Sequence, residues 1–493
     1  MATAGKAPAG RRTPAARGSA AAGPDGPAGT TILAPPPVPG GVPTKRWSSR
    51  AQSLAEIEHE LGQIWASSPR GTTAGEAGEP HVAARTSVLN LVVITRRPEM
   101  EERATATITE LAGRVPSRTV VVLSRDPDGP SRLDAIIEAF CVVPRVGAAE
   151  TCAELIHLAA GGEAGHHLDS LISPLLIHDL PVTLWWPGET PLGLPATRRL
   201  VEMTDRLIVD GSSWTGNGLE HLGELAAMIE SRTAICDFAL IRQSRWREAI
   251  ASTFDLPEFL PYLRSIRRIA VTYATHDETG DPAATNIVKP IYHVAWLGSR
   301  LGYHVERHLT PTGHGARSAV SRAATEAAAG GPGGAGAKSQ PATRRATLRA
   351  AANRPASSPV PGGFDATLRG NRGEIAVLLR PRLSSMPSGT TLRVELLAER
   401  LGSELRADVT AEAESVHVRV WLDGVEVLER RFNAPRRTDV DLLAETIETS
   451  GKDPVSTAAI RFAGEILVGP KAAAAGPAET SGATSGSPNG IGR

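Results

Sequence analysis

The sequence is poor in cysteine, in aromatic residues and in long apolar runs, and it carries no excess of charge of either sign. Its three cysteines, Cys141, Cys152 and Cys236, are too few and too dispersed for a disulfide scaffold or a structural zinc cluster. That usage points to a reducing, cytoplasmic compartment. No apolar run approaches the roughly 18 residues that a membrane span needs, so no membrane association is expected. Lys and Arg total 53 against 53 Asp and Glu, a balance that gives no global reason to expect a nucleic-acid or membrane-surface binder. The adjacent Arg11 and Arg12 are followed by no apolar segment, which argues against a secretion signal. Common enzyme signatures are missing as well: there is no GxGxxG after a strand, no Walker A loop, no nucleophile elbow and no HExxH. Gly451 and Lys452 imitate the end of a phosphate loop, but Thr446 stands where the upstream glycine is required.

What remains is a chain of 493 residues, long enough for two or three domains with sizeable cores. Residues 1–50 and 309–362 hold almost no large apolar side chains and cannot bury enough surface to offset chain entropy, so both are expected to be disordered. The second of these is a basic Gly/Ala/Pro-rich linker, with Arg317, Arg322, Lys338, Arg344, Arg345, Arg349 and Arg354 against Glu326. A tail is expected over 469–493. Ser53 and Glu56 form a capping box ahead of an amphipathic helix over 51–68, with Leu54, Ile57, Leu61, Ile64 and Trp65 on one face.

From residue 85 to 308 strand-like and helix-like segments alternate, which predicts an α/β domain with a mainly parallel sheet and flanking helices. After the linker, residues 363–468 read as a smaller α+β domain. Its short strands include a hairpin at Asp423 and Gly424, and two terminal helices close it.

Leu180 to Gly188 reads LPVTLWWPG, a short strand bounded by prolines and ending in two tryptophans. Neighbouring strand residues point to opposite faces, so Trp185 and Trp186 cannot fill one core. One packs inward, while the other covers a loop, meets the next layer or is presented to a partner. Arg245, Trp246 and Arg247 open a helix, which reads either as an amphipathic helix with its Trp inward or as an anchoring patch. Cys141 and Cys152 lie on consecutive strand candidates joined by a short connection. They are either a bridging pair capable of redox switching or two small buried hydrophobes. His304, Glu306 and His308 alternate as zinc ligands on a strand would, but solvated strands alternate the same way, and no metal is assigned.

Several of these segments together resemble the glucose-6-phosphate dehydrogenase assembly protein family of cyanobacteria and actinobacteria, known as OpcA. The resemblance is carried by SLAEIEHELGQIW (Ser53 to Trp65), RTSVLNLVV (Arg85 to Val93) and SPLLIHDLPVTLWWPG (Ser173 to Gly188). RLIVDGS (Arg206 to Ser212), RWREAIASTFD (Arg245 to Asp255), AWLGSRLG (Ala295 to Gly302) and DLLAETIETSGKDPVSTAAI (Asp441 to Ile460) extend it. It implies a non-enzymatic partner of the glucose-6-phosphate dehydrogenase oligomer, one that favours the active assembly, raises apparent affinity for sugar phosphate and serves the oxidative pentose phosphate pathway. It implies no cofactor and no catalytic residues. Thiol regulation in cyanobacterial members makes thioredoxin a second expected partner and Cys141 and Cys152 its candidates. Partner contact is expected at Trp185, Trp186, Trp246 and Arg247. The competing reading is an α/β enzyme acting on a sugar phosphate or nucleotide sugar, with its ligand beyond the strand ends near Trp186 and Asp210.

Overall fold

The computed structural model describes residues 44–66, 84–85, 87–112, 114–125, 128–142, 151–312, 362–412, 414–449 and 451–467. The tail expected over 469–493, most of the expected linker and the first 43 residues lie outside them.

Among the described residues the first sheet has nine strands: β1 (Thr44–Ala51), β2 (Ala84–Arg85), β3 (Asn90–Thr95), β4 (Arg118–Ser124), β5 (Arg132–Val142), β6 (Thr151–Gly161), β7 (Val182–Trp186), β8 (Arg206–Val209) and β9 (Ala234–Asp237). Its path is β1-β5-β6-β4-β3-β7-β8-β9, with β2 on β6. From β6 to β9 every neighbouring pair is parallel, whereas β1 and β5 form an antiparallel margin. Counted along the chain from β3, those six parallel strands lie in the order 3-2-1-4-5-6, the doubly wound arrangement of dinucleotide-binding domains. The alternation of strand and helix thus gives the expected α/β architecture.

The inner parallel strands of this sheet are near-continuous apolar runs because both faces are covered. Against one face lie helix α2 (Pro98–Leu111), through Ala104, Ile108 and Leu111, and helix α11 (Asp439–Glu448), through Val440, Leu442, Leu443 and Ala444. The other face packs on α1 (Leu54–Ala66), α4 (Leu168–Ile172), α5 (Pro195–Glu202) and α6 (Leu219–Ala227). Between β4 and β6, where a crossover helix is usual, the chain instead makes the antiparallel strand β5, and α11 arrives from the far end of the chain beside α2.

Residues 44–50, expected within a disordered tail, and Ala51, expected to open the first helix, form β1. Their apolar content is low, yet the strand pairs with β5 and buries Ala51. The start of α1 follows the expectation, with the Glu56 amide donating to Ser53 Oγ at 3.3 Å. The Glu56 carboxylate takes the Gln52 amide at 2.8 Å rather than that of Ser53.

Beyond β9 come α7 (Phe238–Ile241), α8 (Ser244–Phe254), α9 (Leu260–Leu263), β10 (Ile266–Thr275), α10 (Val288–Leu301) and β11 (His304–Thr312). Among the described residues the second sheet has eight strands in the order β11-β12-β13-β10-β14-β15-β16-β17. It includes β12 (Gly363–Gly370), β13 (Gly373–Leu383), β14 (Thr391–Arg400), β15 (Ser403–Glu412), β16 (Ser415–Leu422) and β17 (Val425–Asn433). All its pairs are antiparallel except β10 with β13. The hairpin at Asp423 and Gly424 is present, both residues having positive φ as a type I′ turn demands.

The second sheet does not respect the boundary at 308 expected from composition: β10 sits in its middle and β11 at its edge. Strand pairing, which is non-local, decides membership of a sheet, and the low-complexity segment merely interrupts the β11–β12 connection. Helices α8, α9 and α10 cover one face of this sheet. The last helix, α12 (Pro454–Leu467), packs on α10, α6 and β11 and so joins the two units. Gly298 of α10 permits that approach, since a Cβ there would stand 2.3 Å from Cε1 of Phe462.

Candidate functional site

In a doubly wound sheet, ligands bind beyond the carboxyl ends of the strands at the point where the order reverses. Here that point lies between β3 and β7. The turn after β3 holds Arg96 and Arg97 where a phosphate-binding turn would hold glycines. Pro98 opens α2, and Glu99 and Glu101 sit in its first turn. Proline removes a backbone donor, and two carboxylates oppose an anion at a helix start. The turn lacks the glycines and one backbone donor of a dinucleotide-binding turn. Arg97 instead reaches across to the turn after β7, where a Cβ added at Gly188 would stand 3.8 Å from its Nη2.

Both tryptophans of β7 are buried, Trp185 at 1% exposure and Trp186 at 3%. They do point to opposite faces, as the strand requires. Trp185 packs with α2, α11 and Phe238, its ring 6.1 Å from that of Phe238, and Trp186 belongs to the larger core on the other side. The expectation that one is presented to a partner is corrected by the second layer of helices, which gives each ring its own core.

The ends of β8 and β9 carry a polar cluster. Asp237 is fully buried at the end of β9. Its Oδ1 accepts the Gly211 amide at 2.9 Å and the Ala239 amide at 2.7 Å, and its Oδ2 accepts the Tyr292 hydroxyl at 2.7 Å. Burial, reinforced by the nearby Asp210 charge, pushes the Asp237 carboxyl up to about 6. Burial and the Asp237 charge drive the Tyr292 hydroxyl well above its ordinary value. Gly211 is required in this contact, since a Cβ would lie 2.5 Å from Asp237 Oδ2 and 2.8 Å from Val288.

Asp210, at the end of β8 and 4% exposed, receives Nη1 of Arg242 at 2.8 Å on both oxygens. The same guanidinium donates through Nη2 to Asp439 Oδ1 at 3.0 Å, and Arg103 Nε reaches Asp439 Oδ2 at 2.6 Å. Arg242 thus links the sheet edge to α11. Beside it, desolvation depresses the Lys289 ammonium, with the Arg242 charge adding to the effect. Asp210, Arg242, Asp439 and Arg103 satisfy one another through these bonds, and the Tyr292 hydroxyl ties α10 to the end of β9. Sequence reasoning took only Asp210 from this cluster. A carboxylate closing an apolar strand, as in AICD before Phe238, was the available signal for Asp237.

Trp246 and Arg247 lie on α8 and are half-buried. The Trp246 ring stands 5.2 Å from that of His293, and Arg247 Nη1 donates to the Leu240 carbonyl at 2.6 Å. His293 is fully buried, and burial, helped by the Arg247 charge, holds its imidazole down to about 3 and therefore neutral. Cys141 and Cys152 face each other across β5 and β6 and are joined as a disulfide, both buried. Neither the tryptophan pair nor the α8 pair is close in the chain to these cysteines, and the three candidate groups belong to separate elements. On β11, Glu306 is engaged by Arg369, and His308 Nδ1 lies 3.1 Å from the Glu465 carbonyl.

Fold and site define a two-unit α/β protein on a doubly wound frame whose turn after β3 carries Arg96, Arg97 and Pro98 in place of glycines and whose strand-end carboxylates Asp210 and Asp237 are held by internal contacts. Residues 108–227 match the family model described as the glucose-6-phosphate dehydrogenase subunit N-terminal domain, and 233–460 match that of the C-terminal domain. The chain belongs to this family, the OpcA glucose-6-phosphate dehydrogenase assembly proteins.

A putative OxPP cycle protein OpcA from Synechocystis sp. is 26% identical over 183 residues, covering 37% of this chain and 36% of that protein. Its counterpart from Synechococcus elongatus is 25% identical over 185 residues, covering 37% and 39%. The match therefore spans well under half the length of either relative. Among solved structures, an NAD binding oxidoreductase from Klebsiella pneumoniae aligns with a TM-score of 0.39 at 9% identity, covering 78% of this chain and 96% of that one. The transcriptional regulator Gal80p from Kluyveromyces lactis aligns with 0.38 at 10%, covering 78% and 92%.

Proposed function

We propose that this chain is a non-catalytic, cytoplasmic assembly protein that binds glucose-6-phosphate dehydrogenase and favours its active oligomer. The single observation that carries the reading is the pair of family matches, which between them run from residue 108 to 460. The turn at Arg97 and Pro98 agrees with it, because a dinucleotide enzyme on this frame would need glycines and free backbone donors there. The competing reading, an enzyme for a sugar phosphate or nucleotide sugar near Trp186 and Asp210, would require ligand access to two residues that are 3% and 4% exposed.

The mechanism proposed is linkage. A protein that binds the active oligomer more tightly than the inactive form shifts the population toward it, and substrate must then tighten the complex in return. Within this reading the Cys141–Cys152 disulfide is the redox-responsive element and thioredoxin its reductant. Trp246 and Arg247 remain the proposed contact residues of α8, whereas Trp185 and Trp186 act through the cores that hold the sheet.

The test is the dehydrogenase's rate against sugar phosphate concentration, with and without this chain, together with the mass of any complex by size exclusion. A lower half-saturation and a co-eluting complex are expected, and the absence of both removes the reading. Repeating it with Cys141→Ser and Cys152→Ser, and after reduction by thioredoxin, isolates the redox arm.

A further inference from the structure

We infer that β1 and α1 together form a strap over the Cys141–Cys152 disulfide, and that a dithiol reductant reaches the bridge only when the strap lifts. The inference holds whether or not the chain binds the dehydrogenase, because it concerns access to two sulfurs within this chain.

The bridge joins directly opposed residues of β5 and β6, and Cys141 is 6% exposed and Cys152 2%. Side chains alternate along a strand, so Cys141 shares a face with Ala135, Ile137 and Ala139, and Cys152 shares it with Ile156 and Leu158. These neighbours belong to the core that takes in Ile57 and Leu61 of α1. The disulfide therefore lies on the face that α1 covers.

Chain direction brings the end of α1 to it. Thr44 of β1 pairs with Cys141 and Ala51 with Ala135, and only Gln52 and Ser53 separate β1 from α1. Packed on both β1 and β5, α1 turns back on β1 and runs the same way as β5. Its 13 residues at about 1.5 Å each carry it about 20 Å. The steps from Ala135 to Cys141 at about 3.4 Å each carry β5 about the same distance. The last turn of α1 thus reaches the level of the bridge.

The strap is lightly anchored. β1 has a ladder on one side only, and its register slips between Lys45 and Trp47. Of the strap's described side chains, Ala51, Ile57 and Leu61 are the buried ones. β6, by contrast, is paired on both sides, with β5 and with β4. A segment with few buried apolar contacts opens locally at a free energy below that of global unfolding, so β1 and α1 lift while the β5–β6 ladder stays formed.

Reduction requires a thiolate in contact with one of the two sulfurs. The first thiolate of a dithiol attacks one sulfur, the S–S bond breaks, and the other sulfur leaves as a thiolate. The second thiolate then displaces the first cysteine and closes the reductant's own disulfide. Two electrons pass to the cysteine pair, and each freed sulfur takes up a proton. With both sulfurs buried, the rate of this exchange is set by how often the strap is open. Whatever holds α1 down protects the bridge, so a binding event at the strap controls the redox state of a pair that it does not touch.

The rate at which dithiothreitol reduces the bridge in the purified full chain tests this. Samples are quenched with iodoacetamide in denaturant, and mass follows the rise from one alkylated cysteine, Cys236, to three. The wild type is expected to react far more slowly than the urea-unfolded chain, and its rate is expected to rise with urea along a slope well below the m-value of global unfolding. Ile57→Ala, which removes a fully buried contact of the strap, is expected to speed reduction at least about tenfold. Leu225→Ala, in α6 on the same core but away from the strap, is expected to leave the rate in water unchanged. Should Ile57→Ala misfold by circular dichroism, the urea slope of the wild type decides alone. A wild-type rate equal to that of the unfolded chain, a urea slope equal to the global m-value, a folded Ile57→Ala chain reduced no faster than wild type, or equal acceleration by Leu225→Ala would each overturn the inference.

Discussion

The Tyr292 hydroxyl donates a 2.7 Å hydrogen bond to Oδ2 of Asp237, joining two fully buried groups, one on α10 under the second sheet and one at the end of β9 in the first. Removing the donor leaves a buried carboxyl oxygen unsatisfied, which costs about 1–3 kcal/mol. Tyr292→Phe is therefore expected to lower stability by that amount in urea unfolding, with no change in secondary structure by circular dichroism.

Asp237 also gives stability a pH dependence of defined sign. Its carboxyl is pushed up to about 6 in the folded protein from an ordinary value of 3.8, so between those limits the folded chain holds a proton that the unfolded chain has released. The contribution is complete below about pH 4 and is lost as pH rises through about 6, roughly 3 kcal/mol in all. Asp237→Asn should flatten this part of the profile, measured as unfolding free energy from pH 4 to 7. A slope that survives the substitution would mean another group titrates.

Trp185 and Trp186 serve as a second check on the cores. Each truncation to Ala is expected to cost about 3–5 kcal/mol, because each ring fills a separate buried layer. Loss of partner binding in either variant should parallel loss of the folded signal at every denaturant concentration. A stable Trp186→Ala chain that fails to bind would assign that ring to an interface.

Arg118 and Glu154 form an ion pair whose side chains are 10% and 0% exposed, and Arg118 Nη1 also holds the Leu175 carbonyl at 3.1 Å. Breaking a buried pair by removing one member costs about 3–5 kcal/mol, since the other charge is left uncompensated. Arg118→Ala is expected to show that loss in thermal unfolding, and Arg118→Met with Glu154→Leu together should recover most of it.

Reducing the disulfide between Cys141 and Cys152, which closes a separation of 11 residues, is expected to cost up to about 3 kcal/mol. The melting temperature with and without reductant measures it, and the double serine variant should be insensitive to reductant. Buried Cys236, its thiol pushed up by burial, should stay unreactive in both.

Local chemistry made much of the architecture legible before any coordinates. The Asp423–Gly424 turn, the Ser53 cap and the apolar run of β7 each declare their element through a few adjacent residues. What stayed hidden depends on distant partners. β1 is a polar edge strand that exists because β5 offers it a ladder, and β10 joins the second sheet through pairing with β13 and β14. The opposite orientations of Trp185 and Trp186 follow from strand geometry, whereas the burial of Trp185 depends on α11, contributed from more than 250 residues further on. The open choice at Cys141 and Cys152 is decided by β5–β6 register. The Asp237, Tyr292 and Arg242 cluster escaped because its members come from different elements with no common motif.

Thr312 and Gly363 stand opposite one another at the junction of β11 and β12, so the chain leaves and re-enters the second sheet at a single point. Residues 313–362 are in topological terms an excursion from one hairpin, however many of them there are. Lengthening or shortening such an excursion changes the closure entropy only with the logarithm of its length. A change in the length of that excursion therefore leaves the meeting of Thr312 with Gly363 where it is.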